Sequence, residues 1–205
     1  MTAPAKRDFV TASAGPAGRP VDVVGLCGSR RKFLLILSAL RLAGACMPPA
    51  MLLEVVDWRE IPAFDADLLA QGLPAPVQAL RERIRRADAV LIATPEYNFS
   101  IPGMLKNAFD WVSRGADQPL RHKPVAILSA SPGPVGGARV QYDLRKVLLF
   151  MEAMVLSKPE VFIANAAGKF EADGTCNDET TRRFVTDQMA ALRLWLDQVA
   201  AMRSL

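Results

Sequence analysis

A chain of 205 residues, 51% hydrophobic and 22% charged, is long enough for one substantial core and too apolar to stay disordered. Its net charge of +4 is spread among acidic residues, which argues against a nucleic-acid-binding face, and no apolar stretch reaches the roughly 18 residues of a membrane span. The single histidine, His122, rules out histidine-cluster metal sites and paired-histidine mechanisms, and three widely spaced cysteines, Cys27, Cys46 and Cys176, argue against a disulfide framework or a zinc site.

Residues 1–20 are rich in Ala, Pro, Gly and Thr and read as a flexible extension ahead of one domain over 21–205. They hold no apolar segment of the length an export signal needs, so a cytoplasmic location is expected. Val21 to Cys27 reads as a first strand, and a helix is expected from Phe33 to Cys46, stopped by Pro48-Pro49. Met51 to Val56 reads as a second strand. A long connection from Ile61 to Pro76 follows, and then Val77, Leu80, Ile84 and Ala87 recur at helical spacing. Arg81, Arg83, Arg85 and Arg86 on that helix, interrupted by Glu82, read as a solvated face.

Val90 to Ala93 is expected to be a buried third strand, with a helix from Gly103 to Ser113 after it. Val125 to Leu128 is a fourth strand, and a helix spans Ala138 to Met151. A fifth strand falls around Val161 to Ile163. The last helix starts near Asp178, with Phe184, Leu192, Trp195, Val199 and Met202 as its core-facing stripe. Strands alternating with helices imply an α/β three-layer sandwich. Five parallel strands of this length fit a flavodoxin-like sheet of order 2-1-3-4-5.

In that order the ends of strands one, three and four lie side by side, and the three polar loops of the chain sit at those ends. The first, Gly28-Ser29-Arg30-Arg31-Lys32, opens a helix and combines a hydroxyl, guanidinium groups and backbone N–H donors suited to a phosphate. It carries neither the Walker nor the dinucleotide glycine pattern. The second, Pro95-Glu96-Tyr97-Asn98, offers a proline-restricted backbone, an aromatic face and an amide. Lys106, Asn107 and Asp110 lie on the helix beyond it, and Trp111 reads as packing. The third, Ser129 to Gly137, has three glycines that permit close approach of backbone to a ligand. His122, between Arg121 and Lys123, reads as an exposed loop residue.

The segment from Pro95 to Trp111 resembles the signature P-E-Y-N-x-S-x-P-G-x-L-K-N-A-x-D-W of the NAD(P)H-dependent FMN reductases, a flavodoxin-like family that also contains quinone, chromate and azo-dye reductases. Ser131-Pro132-Gly133 with Gly136-Gly137-Ala138-Arg139 and Gln141-Tyr142 is similar to the family's second signature, and Lys158-Pro159-Glu160 fits its pattern. The resemblance covers residues 21 to the end of the last helix. It implies an enzyme that binds FMN and uses NAD(P)H as co-substrate. The resemblance further implies a ping-pong route in which hydride passes from NAD(P)H to the flavin N5 and on to a small acceptor such as a flavin, quinone, chromate or azo compound.

By the same resemblance Ser29 and Arg31 hold the FMN phosphate. Pro95, Glu96, Tyr97 and Asn98 line the ribityl chain and ring, largely through backbone groups. Ser131, Gly133 and Gly136 border the other edge. No side chain acts as a catalytic acid or base. The family's members are dimers or tetramers, with Arg139, Tyr142 and Glu160 matching residues that bridge subunits. The first loop departs from the family's G-S-x-R-x-x-S-x-N, with Leu34 where Ser is expected and Ile36 where Asn is expected. Each hydrogen bond to a charged group lost there costs about 1.5–3 kcal/mol. Two further readings therefore stay open at this point: a flavin-binding electron carrier, and a chain whose FMN binding is weakened or lost. Preference for NADH or NADPH, the acceptor, and dimer versus tetramer also stay open.

Overall fold

A computed structural model describes residues 19–29 and 35–203. The elements run β1 (Val21–Cys27), α1 (Leu35–Ala45), β2 (Met51–Val56), α2 (Ala66–Ala70), α3 (Ala75–Arg86), β3 (Ala89–Thr94), α4 (Gly103–Val112), β4 (Pro124–Ala130), α5 (Ala138–Phe150), β5 (Met154–Val155), β6 (Val161–Ile163) and α6 (Glu179–Arg203). All strand pairings are parallel, in the order β2-β1-β3-β4-β5, with β6 also paired to β4. This is the flavodoxin-like arrangement expected from the alternation of strands and helices. The expected extension lies largely outside the described residues. Arg19 is described, and its guanidinium forms a forked pair with Asp88 (2.7 and 2.8 Å) beside the start of β1.

The central strands are buried on both faces, so their sequences are continuous apolar runs whose side chains alternate between two cores. Val90 and Ile92 of β3 and Val125 and Ile127 of β4 join a core with α3, α4 and α5, built around Trp111, Phe109 and Leu105. Ala89, Leu91 and Ala93, with Ala126, Leu128 and Ala130, face the opposite core with α1 and α6. On β3 and β4 that second face is mostly alanine, which lets α1 and α6 lie close against the middle of the sheet. Edge strand β2 is different: Leu52 is 63% exposed, and Glu54 pairs outward with Arg83. Cys27 and Cys46, half-buried, pack against the α1/α6 core as small apolar side chains, and Cys176 is buried in it.

Four details differ from the sequence reading. The fifth strand is in two pieces. β5 pairs with Pro124 and Val125, and β6 pairs with Leu128 to Ala130. Between them the carbonyl of Ile127 accepts a hydrogen bond from the Gln188 side chain (2.9 Å), which also reaches Pro159 O (3.0 Å). A buried amide from α6 thus bridges the ladder where the strand is interrupted. Second, the connection after β2 contains the short helix α2, capped by the Asp65 carboxylate on the N–H groups of Asp67 and Leu68.

Third, the core face of α6 is Val185, Gln188, Met189, Leu192, Leu196 and Val199, with Trp195 half-buried and its indole N–H on Met154 O at 2.7 Å. Phe184 and Met202 are 47% and 46% exposed, because they fall one step off that helical stripe. Fourth, two of the four arginines of α3 leave the expected solvated face, while Arg85 and Arg86 stay exposed on it. Arg81 is 3% exposed and donates to the carbonyls of Val112 and Asp117 and to the Asp117 carboxylate. Arg83 clasps Asp22 (2.6 and 2.9 Å) and Glu54 (2.8 Å), tying α3 to β1 and β2. Long-range partners, invisible to local periodicity, recruited these charges.

Replacing Arg81 by Met keeps the volume and removes the donor. We expect a loss of about 1–3 kcal/mol, the penalty for leaving the buried Val112 carbonyl unmet. Urea unfolding should show a lowered midpoint with an unchanged slope.

Candidate functional site

The carboxyl ends of β1, β3 and β4 bring the three polar loops to one edge of the sheet. Loop one begins at Gly28, whose N–H donates to Ala93 O at 2.7 Å. A Cβ on Gly28 would stand 2.8 Å from Thr94 Oγ1, so only glycine lets the ends of β1 and β3 meet this closely. The next hydroxyl, Ser29 Oγ, is buried and has no hydrogen-bond partner among the described residues. Arg31, with Arg30, Lys32 and Leu34, lies outside the described residues. Ile36 is described. It is 1% exposed and packs in the α1/α6 core, so its side chain is turned away from the loop edge.

Loop two leaves β3 at the buried Pro95. The Glu96 side chain, 7% exposed, reaches the N-terminus of α5. Its carboxylate accepts from the N–H groups of Arg139 (3.1 Å) and Val140 (3.3 Å) and from Arg139 Nε (2.7 Å). A carboxylate at a helix N-terminus meets both the unpaired N–H donors and the positive end of the dipole. Glu96 is thus occupied in joining loop two to α5, and its N-cap role was not legible from local sequence.

Beyond it Tyr97 and Ser100 exchange backbone hydrogen bonds (3.1 and 2.9 Å) around a two-residue turn. Asn98 (φ 49°) and Phe99 (φ 67°) both adopt left-handed backbone, the pattern of a type I′ turn. Asn tolerates this region, whereas for Phe it costs on the order of 1–3 kcal/mol. The Phe99 ring lies under the Arg139 guanidinium, 3.8 Å from centroid to Cζ, which offsets part of that cost. Tyr97 and Phe99 are exposed at 49% and 67% and form an aromatic rim. Ser100 Oγ donates to Asp143 of α5 at 2.7 Å. That hydroxyl, and then Lys146, hold the Asp143 carboxyl below its ordinary value.

Loop three is stitched to the chain beyond β6. Ser131 N–H donates to Ile163 O (3.1 Å), Asn165 N–H to Gly133 O (3.0 Å) and Ala166 N–H to Ser131 O (3.0 Å). Ser131 Oγ donates to Gly133 O at 3.2 Å. Around Gly133 the space is open, the nearest atom to a Cβ there being Ser131 Oγ at 3.9 Å. Gly136 is different. Its φ is 64°, and a Cβ on it would press 2.8 Å from the Phe162 backbone, so its glycine serves contact with β6.

The remaining polar residues singled out from sequence fall elsewhere. Asn107 pins the connection after β2, accepting from Phe64 N–H (2.7 Å) and donating to Pro62 O (2.8 Å), and the Trp111 indole N–H donates to the same carbonyl (2.9 Å). Lys106 pairs with Asp110 along α4 (2.6 Å). His122 is exposed in the turn before β4, at the opposite end of the sheet from the three loops. Tyr142 is 51% exposed on α5, whereas Glu160 is mostly covered and pairs with Lys158.

A doubly wound parallel sheet, with a buried unpartnered hydroxyl and two tethered loops at its switch point, defines a nucleotide-type α/β site. The family described as NADPH-dependent FMN reductase matches residues 21–168, and the chain belongs to that family. An NAD(P)H-dependent FMN reductase of Pseudomonas aeruginosa is 46% identical over 176 residues, covering 86% of this chain and 95% of its own. A quinone reductase of Escherichia coli K12 is 43% identical over 185 residues, covering 87% of this chain and 97% of its own. Among solved structures, the flavoenzyme NAD(P)H:(acceptor) oxidoreductase FerB from Paracoccus denitrificans superposes with a TM-score of 0.79 at 34% identity, covering 87% of this chain and 98% of FerB.

The burial of Ile36 gives a direct expectation. Converting it to the Asn of the family pattern puts an amide into an apolar core, and Ile36→Asn should lose about 2–5 kcal/mol. Thermal unfolding of the purified variant measures this.

Proposed function

We propose that this chain is an NAD(P)H-dependent reductase that binds FMN at the carboxyl edge of its sheet and delivers electrons to a small acceptor of the quinone or flavin class. The observation that carries the reading is Ser29 Oγ, a buried hydroxyl without a partner at the end of β1. Such a group costs free energy unless a ligand meets it. A phosphate oxygen is a fitting acceptor, and Arg31, two residues on in the sequence, would supply the matching charge.

The other residues fit the same group. Pro95 to Asn98 present a backbone fixed by the β3 end and by the Tyr97–Ser100 bridge, suited to hold a planar ring at a constant angle. Glu96 contributes through its backbone, since its carboxylate is taken by Arg139 and Val140. Ser131 and Gly133, with open space above the glycine, border the ring's other edge, and Gly136 holds that border against β6. Tyr97 and Phe99 wall the mouth with aromatic surface that excludes water on one side and accommodates a flat acceptor on the other. FMN, when bound, supplies the hydride-accepting and electron-donating chemistry. The task left to these residues is to bind, orient and desolvate, which requires no histidine.

The apolar residue at 36 does not weaken this reading, because its side chain belongs to the core. We further propose that the protein works in the cytoplasm as a homodimer or homotetramer. Among the described residues no helix is long and apolar enough to cross a membrane. The outer side of α5 carries exposed Tyr142, Leu149 and Phe150, beside Arg139 and, across the β5–β6 connection, Glu160.

Purified protein should carry or take up FMN, and its visible flavin band should bleach on addition of NAD(P)H and recover with a quinone. A protein that binds no added FMN would overturn the assignment. Ser29→Ala should weaken FMN binding by about 10- to 100-fold, the equivalent of about 1.5–3 kcal/mol for one hydrogen bond to a charged group. Its ligand-free stability should be unchanged or higher, because the variant removes an unsatisfied buried group.

A further inference from the structure

At the amino ends of the strands, far from the loops just described, Lys123 lines a cavity of about 250 Å³ between the end of α3, the start of β4 and the end of α6. Its half-buried stem leads to an Nζ that donates to two backbone carbonyls at the end of α3, Arg85 O (3.1 Å) and Ala87 O. Arg85, Arg86 and Arg203 stand around the same cavity, against two acids, Asp88 and Asp197, among its described lining residues; Arg85 also pairs with Glu82 and Asp117, and Arg86 with Glu82. Both acids are already engaged: Asp88 by Arg19 and the Asp22 N–H, and Asp197 by Arg193.

We propose that Lys123 is a site of N-acylation by small acyl phosphates, which this cavity attracts by charge and presents to the amine. Three features support it. A neutral amine has two N–H bonds, and two carbonyls are in place to accept them, which leaves the nitrogen lone pair for an incoming carbonyl carbon. Burial, the largest influence, pushes the Lys123 ammonium below the ordinary lysine value. Arg203 and Arg85 act in the same direction, and Asp88 and Asp22 oppose. A lysine desolvated beside other cations is a stronger nucleophile near neutral pH. Finally, the surrounding guanidiniums favour an electrophile that carries its own negative charge.

The step balances without a redox change. The Nζ lone pair forms a C–N bond to the acyl carbon. The bond from that carbon to the bridging phosphate oxygen breaks, and inorganic phosphate leaves with the electron pair and takes up the amine's surplus proton. The resulting amide keeps one N–H donor and no charge, so the end of α3 loses a cation that its carbonyls favour.

The test incubates the full chain with acetyl phosphate and follows acetylation of each lysine by peptide mass spectrometry. Lys123 should be modified about tenfold faster than Lys106, Lys146, Lys158 and Lys169, the lower end of what electrostatic focusing gives. Arg86 is 68% exposed on its side chain, and Arg203 is also exposed, so a double R86Q/R203Q variant leaves the fold intact. That variant should slow Lys123 to the rate of the other lysines with acetyl phosphate, and keep its rate with N-acetoxysuccinimide, an uncharged acetyl donor. Modification of Lys123 no faster than of the exposed lysines overturns the proposal. So does a double variant that reacts with acetyl phosphate like the parent, or that loses both reactions equally.

Discussion

One carboxylate organises the carboxyl edge of this sheet. Glu96 leaves the end of β3 and satisfies two N–H groups at the start of α5, while its second oxygen takes the Arg139 side chain. Without it, the first turn of α5 would keep unpaired donors in a part-buried position, and the loop after β3 would lose its tether to the start of α5. The consequences spread outward. Arg139, once fixed, lies over Phe99, and Asp143, one turn along α5, meets Ser100 on the far side of the same turn. The helix-capping contact thus sets the position of the cation that covers Phe99, next to the Tyr97–Ser100 bridge and the Ser100–Asp143 bond.

That contact works only because the strands beneath it are held close. Gly28 brings the end of β1 against Thr94, and the alanines of β3 and β4 let α1 and α6 approach the opposite face of the sheet. Loop three is held from its other side by the hydrogen bonds to Ile163, Asn165 and Ala166, so the break in the fifth strand does not loosen it. Gln188 and Gln141 use their side-chain amides to cover the carbonyls of Ile127 and Val161 at that break. Backbone pairing that the strand gives up is replaced by α5 and α6.

The strands and their order were legible because they depend on local patterning. Val21 to Cys27 and Met51 to Val56 have the same limits in sequence and structure, and Val161 to Ile163 is a strand in both. The features that escaped are those whose cause lies far away in the chain. Arg81 and Arg83 look like surface charges until Val112, Asp117, Asp22 and Glu54 are folded beside them. Phe184 and Met202 look like core residues until the phase of a 25-residue helix is fixed by the sheet. Within the candidate site, residue types and their positions after strands were readable, whereas the side-chain destinations of Glu96, Asn107 and Ile36 were not. The resemblance at Pro95 to Trp111 identified the loop, but only the folded chain reveals that one of its residues is a cap and another a pin for the loop beyond β2.

The turn at Asn98 and Phe99 bears on how selectivity arises. Both residues sit in left-handed backbone, closed by a pair of backbone hydrogen bonds and pinned by Arg139. On the proposed function an entering molecule would meet a rim whose conformational entropy was surrendered during folding. Ordering a mobile side chain on binding costs about 0.5–1.5 kcal/mol, and that charge is largely absent here. A preorganised rim cannot remould itself around bulkier molecules, so on the proposed function discrimination among acceptors would rest on static shape and stacking rather than on adaptive closure.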